Sequence, residues 1–219
     1  MTLPRATGYG WNAVAHRYYD LEAGVFVSRA AVSAGLESVM DVSALRMNAL
    51  TQRLIDGGIS LADWQTGMMQ QIKTAHVASA ALSNGGWAQM TQSDWGATGQ
   101  LIKEQYKYLE NYAAEIANGT QALDGRALVR SDLYADAANT TYSAMQTRSY
   151  TADGFEEERR ELEVKDGGNC DDCIEYANEG WQPIGTLPEP GDDSQCSKRC
   201  RCRKIRRRMT ETGEWEESE

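Results

Sequence analysis

Read for polarity alone, the first two thirds of the chain repeat at the period of a helix. Leu61, Trp64, Met68, Ile72 and Leu82 recur every three or four residues, or multiples of that spacing, behind a Ser60 cap with Asp63 at the third helical position, and Asn84-Gly85-Gly86 ends the run. Thr91 with Asp94 signals a second capped start, followed by a long stripe of Trp95, Ile102, Tyr106, Leu109, Ala113 and Ile116 up to Asn118-Gly119. A further helix is expected from about Arg126 to Thr147 on Val129, Leu133, Ala137 and Met145. Upstream, Leu45, Leu50, Leu54 and Ile55 form a face over Ser43 to Ile55, stopped by Asp56-Gly57-Gly58. Val25 to Met40 is a small-residue helix candidate, and Trp11, Val14, Tyr18 and Leu21 share helical spacing, with Gly24 as a weak point. The polar opening, Met1 to Gly10, reads as an arm. These stripes predict a core containing Trp64, Ile72, Trp95, Ile102, Leu109, Leu133 and Met145, with Met68-Met69 on a buried face.

At Thr151 the pattern changes. After Asp153-Gly154 and a charged run from Glu156 to Arg160, Leu162 and Val164 alternate with charge, which is strand period. Lys165 to Gly168 reads as a turn. Trp181, Ile184 and Leu187 sit among glycines and three of the chain's four prolines, a region of short strands and turns. Ile205 and Met209 alternate with arginines, and Thr212-Gly213 can turn that strand back toward Trp215. The expected fold class is therefore α+β, mostly α: a helical domain over residues 1–150 and a small β-rich unit over 151–219, too small to hold itself by burial alone.

Composition adds chemistry to that unit. All five cysteines of the 219 residues lie between Cys170 and Cys202, as Cys170-Asp-Asp-Cys173 and Cys196-Ser-Lys-Arg-Cys200-Arg-Cys202. The start Met-Thr-Leu-Pro-Arg lacks the charged and apolar regions of a secretion signal, so a reducing, intracellular setting is expected, and there clustered thiols read as a metal site. Zinc fits best, because a Cys-x-x-Cys turn supplies two thiolates from one loop and a second pair closes a tetrahedron. Cys170 and Cys173 form one pair, 22 residues intervene, and the other two ligands come from Cys196, Cys200 and Cys202, with Cys196 and Cys200 favoured and Cys202 the alternative. Disulfides or free thiols, and a redox Cys-x-x-Cys, are the competing readings; the redox motif normally opens a helix in a βαβ setting that this chain does not announce. Asp171, Asp172 and Glu175 read as solvated turn residues.

Charge is uneven on a finer scale. The chain carries net charge −10, shared equally between residues 1–165 and 166–219, yet Lys198, Arg199, Arg201, Arg203, Lys204, Arg206, Arg207 and Arg208 hold eight of the 22 basic side chains within eleven positions. Two readings follow: a docking patch for a partner, with nucleic acid the weaker candidate, or a hairpin neutralised by Glu211, Glu214, Glu216, Glu217 and Glu219. No run reaches the 18 or so apolar residues of a membrane span. There is no Gly-rich phosphate loop, and His16 and His76, placed in predicted helices, read as surface or boundary residues; no base, nucleophile and orienter assemble, so no enzymatic activity is expected.

The order of these features, a long helical domain, an alternating strand, Gly167-Gly168-Asn169-Cys170 with its Cys-x-x-Cys, Trp181-Gln-Pro183 and Cys200-Arg-Cys202, resembles the phage head-morphogenesis or minor head protein family, of the phage Mu F-like type. The resemblance is sharpest over Glu161 to Ile205 and looser at Gly58-Ile-Ser-Leu-Ala-Asp-Trp64 and Gln105-Tyr-Lys-Tyr-Leu109. Members of that family often carry a His shortly before Cys-Arg-Cys; here Cys196 lies within about one position of that place, and a thiolate is an acceptable replacement donor. What the resemblance implies is a virion protein present in several copies, acting in head assembly or DNA delivery inside the procapsid or near the portal. Its implied partners are the portal or major capsid protein, with packaged DNA a further candidate, and no membrane. The alternatives kept beside it are a zinc-ribbon nucleic-acid binder and, third, an enzyme such as a nuclease.

Overall fold

The computed structural model describes residues 9–12, 17–20, 23–163, 168–192, 194–196 and 200–218. Within these residues the chain is mostly helical and carries a small antiparallel sheet at its C-terminal end. Val14, His16, Leu21 and all but the last two residues of the expected arm lie outside the described residues.

The chain enters on a hairpin, not on the helix expected there: β1 (Tyr9–Asn12) pairs antiparallel with β2 (Arg17–Asp20), Trp11 opposite Tyr18. Seven-residue spacing is two helical turns, but it also puts two residues across from each other in a hairpin, and the aromatic residues favour strand. Tyr18 turns inward onto Val32, Leu36, Val39, Ala78 and Leu82, and its hydroxyl donates to the Ser83 carbonyl at 2.7 Å.

Helix α1 (Arg29–Ile55) is continuous where two helices were expected, because nothing between Met40 and Ser43 breaks it. Ser28 caps its start and Gly57, at φ +70°, lets the chain leave its end. Helix α2 (Leu61–Ser83) begins at Ser60, whose Oγ accepts from the Asp63 N–H at 3.1 Å. Thr91 and Asp94 form a reciprocal capping box at α3 (Gln92–Ala117), and Asp124 caps α4 (Gly125–Ala152). Helix α4 runs five residues beyond the expected Thr147.

The helical core centres on Trp64, packed with Met47, Met68, Ile72, Leu109, Tyr112 and Tyr134. Its indole N–H donates to Thr51 Oγ1 at 2.9 Å, and Thr51 meets Ser131 at 2.7 Å, so the polar atoms in this core are satisfied across α1, α2 and α4. Ile102 and Met145 are buried as expected, and Trp95 is half-buried against Ala80, Ala81, Met90 and Met145.

Five expectations about burial fail. Leu133 is 47% exposed, Val129 67% and Leu45 71%. On α4 the buried face is Ala127, Ser131, Tyr134, Ala135, Ala138, Thr141 and Met145; small and hydroxyl side chains let the helices approach, and the larger aliphatics stay outside. Met68 is fully buried while Met69, one position on, points away and is exposed. His76, expected at the surface, is 1% exposed, and its Nδ1 meets Thr141 Oγ1 at 2.6 Å between α2 and α4.

Beyond α4, a turn at Gly154 (φ +82°) leads into a four-stranded antiparallel sheet of order β4-β3-β5-β6, formed by β3 (Glu157–Glu161), β4 (Gln182–Pro183), β5 (Arg203–Met209) and β6 (Trp215–Glu217). The turn at Thr212-Gly213 reverses the chain as the sequence implies. Strand β3 ends before Leu162, which packs against the cysteines; Val164 lies outside the described residues. A short helix, α5 (Asp171–Asn178), follows β3.

Candidate metal centre

Cys170 is the N-cap of α5, in extended conformation (φ −69°, ψ 156°), and Cys173 is at the third position of the helix, one turn from it. The motif therefore opens a helix, where the sequence reading had placed a loop; it does so between antiparallel strands, outside any βαβ unit. Asp172, in the first turn, is more than a solvated residue: its Oδ2 accepts from the Gln195 N–H at 2.7 Å, so the Cys196 segment is tied to the head of α5. From the other side, Asn139 of α4 donates from Nδ2 to the Cys200 carbonyl at 3.1 Å.

These tethers bring all five cysteines into one cluster. Cys173, Cys200 and Cys202 are buried and Cys170 and Cys196 half-buried, with Leu162 beside them. The Cys173 sulfur lies 3.5 Å from that of Cys196 and 3.6 Å from that of Cys200. All five are free of disulfides. Those gaps far exceed a disulfide bond of about 2.05 Å, and they come close to the separation of about 3.8 Å that two sulfurs take around one tetrahedral zinc. The sulfurs that lie within 4.8 Å of one another fall into two groups, Cys170, Cys173 and Cys196, and Cys173, Cys200 and Cys202. The cluster can hold a metal ion, and Cys173 belongs to both groups.

Local dipoles sort the thiols. Burial acts to raise the Cys170 pKa, but the N–H groups of Cys173 and Cys196 outweigh it and the net shift is downward. Burial, then the neighbouring thiols, push Cys173 up. Cys202 is lowered to about 5, first by its hydrogen bond with Cys200 and against the opposing effect of burial, and the same hydrogen bond raises Cys200. A groove of about 1260 Å³ between α1, α4 and the start of β5 reaches Cys200 and Cys202 and gives an ion a route in.

The basic run does not form the expected open patch. Lys198 and Arg199 lie outside the described residues. Strand pairing places Arg206 opposite Glu158 and Lys204 opposite Arg160, and these four face α4. Lys204 Nζ, fully buried, donates to Glu158 Oε1 and Glu189 Oε1, both at 3.0 Å, and to the Leu187 carbonyl at 2.6 Å. Arg206 donates to Thr147 Oγ1 at 2.8 Å and lies 4.9 Å from the centre of the Tyr150 ring. On the other face Arg203 pairs with Glu161, and Arg207 pairs with Glu157 at 2.6 Å between the Trp181 and Trp215 rings, 4.3 and 4.0 Å away. Arg208 pairs with Glu216 at 2.8 Å. Of the six described cations only Arg201 is exposed, 3.8 Å from Glu37 of α1. Strand parity explains the correction: with a side-chain period of two, Lys204 and Arg206 share the inner face, where Lys204 is held by Glu158 and Glu189 and Arg206 by the Thr147 hydroxyl and the Tyr150 ring.

The sequence reading missed Asn139, Asp172, Glu158 and Glu189. Asp172, lying inside the Cys-x-x-Cys motif, carried a signal; the other three lie where no local pattern marks them. Among the described residues no helix is long and apolar enough to cross a membrane. Comparison with protein-family models, curated proteins and solved structures found no match.

Proposed function

We propose that this chain is a structural protein of a phage head, a non-enzymatic minor head protein that works in assembly near the portal or capsid interior, and that zinc held at the cysteine cluster locks its C-terminal unit onto the helical body. The observation that carries the metal reading is the convergence of five thiols from two separate segments, with sulfur gaps suited to a shared ion. Cys170, Cys173, Cys196 and Cys200 are the ligand set drawn from the sequence, with Cys202 its alternative. The phage role is supported by the Gly-Gly-x-Cys-x-x-Cys, Trp-x-Pro and Cys-Arg-Cys pattern set out above.

The nucleic-acid alternative is weakened by the inward placement of Lys204 and Arg206, since cations withdrawn from water, Lys204 on the Glu158 carboxylate and Arg206 on the Thr147 hydroxyl, are not offered to a phosphate. Co-expression with the portal and major capsid proteins of the same phage tests the proposal. Retention of the chain on one of them, together with its presence in assembled particles, is the expected result. Particles that assemble normally and lack the chain would overturn it, and retention on DNA with a steep salt dependence would put the alternative in its place. Elemental analysis of reduced, purified protein tests the metal: stoichiometric zinc is expected, and none would end that part of the reading.

A further inference from the structure

The five thiols are one too many for a single tetrahedral ion, and their arrangement says how the excess is used. Around one ion held by four thiolates every pair of sulfurs is separated by about 3.8 Å, so all four form a single mutually close set. Among the described residues the sulfurs form two sets of three, each within 4.8 Å, with Cys173 common to both. Three sulfurs so spaced are one face of a tetrahedron. Two such faces joined at one corner are the outline of two tetrahedra with a common vertex.

Each triad also has an oxygen beside one of its sulfurs. Ser194 Oγ is 3.4 Å from the Cys196 sulfur, and Asn169 Oδ1 is 3.5 Å from the Cys202 sulfur. Either oxygen, or a water it holds, can close the fourth corner. Charge points the same way. Bound thiols are thiolates, so four of them around one divalent ion leave a net charge of about −2 in a largely buried site, and five around two ions reduce it to about −1.

We propose that the cluster is a two-ion site in which Cys173 bridges two thiophilic divalent cations of the zinc type, one held with Cys170 and Cys196 and the other with Cys200 and Cys202. This rests on the metal reading above and replaces its choice of four ligands by all five. Cys173 suits the bridging role: it is 1% exposed, is fixed on the first turn of α5, and is the residue through which the two segments meet. Cys202 is then a ligand in its own right, not a substitute for Cys200.

The test counts ions on the whole protein. Reduced, metal-free protein is titrated anaerobically with Co²⁺ and with Zn²⁺, the bound ions are counted by native mass spectrometry, and Co²⁺ is followed by its thiolate charge-transfer band and its EPR signal. The expected result is saturation at two equivalents, with an EPR signal that grows over the first and falls over the second as the bridging sulfur couples the ions. Cys202→Ser should lower the count to one while circular dichroism shows the helices unchanged. Cys173→Ser should weaken both sites together, and should it fail to fold, the Cys202→Ser and Asn169→Ala counts still decide. Saturation at one equivalent, or a Cys202→Ser protein that binds as many ions as the unaltered chain, overturns the two-ion site and leaves a single zinc standing. Failure to bind any ion removes both readings.

Discussion

The helical body and the C-terminal sheet bury different chemistry. Around Trp64 the body packs aliphatic and aromatic side chains from four helices, and the Thr51 and Ser131 hydroxyls and the Trp64 indole N–H buried among them satisfy one another. The sheet turns Glu158, Arg160, Lys204 and Arg206 toward the body, and its remaining interior includes sulfur. The first kind of interior draws stability from removing apolar area from water and tolerates repacking. The second draws little net stability from its ion pairs, because desolvating the charges costs about what their attraction returns. It is therefore fixed in geometry and weak in energy, and a metal held at the cysteine cluster, as proposed, would supply what burial does not.

Four experiments break or sharpen that contrast, from the largest effect down. Removing the metal with a strong chelator should abolish hydrogen-exchange protection in β3, α5 and β5 and leave α2 and α3 protected, since structural zinc contributes on the order of 10 kcal/mol. Equal loss in both regions would mean that they share one source of stability. Next, Lys204→Met leaves Glu158 buried without its cation and should cost about 3–5 kcal/mol in denaturant unfolding, whereas pairing it with Glu158→Met should recover most of that loss. A double variant as unstable as the single one would show that the pair's geometry, not its charge, is what matters. In the body, Ile72→Ala should cost about 2–5 kcal/mol, since Ile72 is fully buried. Leu133→Ala, on the same body but on the solvent side of α4, should change stability by less than about 0.5 kcal/mol; a large loss there would restore Leu133 to the core.

The contrast also explains what could be read in advance. Helix starts at Ser60 and Thr91, and the ends at Asp56-Gly57 and Asn118-Gly119, were legible because a cap is a local bargain between a side chain and the nearest backbone amides. The gathering of cysteines was legible because their spacing is itself the chemistry. Leu133 misled because residue size was read as burial, while α4 buries Ala135, Ala138 and Ser131 at close helix contacts. The sign of β5 was harder still. Ile205 between Lys204 and Arg206 suggests an apolar face and a charged one, but Lys204 and Arg206 are buried as well as Ile205, because partners distant in sequence await them, Glu158 and Glu189 for Lys204 and Thr147 for Arg206. Replacing Arg206, Arg207 and Arg208 together would therefore disturb the sheet itself, and cannot serve as a test of docking alone.

Helix α4 presents Asn139, Ser143 and Thr147 at intervals of four, and each meets the C-terminal unit: the Cys200 carbonyl, Glu189, and Glu189 with Arg206. Such a row works as a ruler. A shift of the sheet by one helical turn, about 5.4 Å, would offset every donor from its acceptor at once, whereas a greasy contact would slide with little penalty. The row also sets an order of events, for the helix that carries it is synthesised before any of the strands that dock on it. A nascent chain thus meets its own finished gauge, and the segments that emerge after the helix are measured against it.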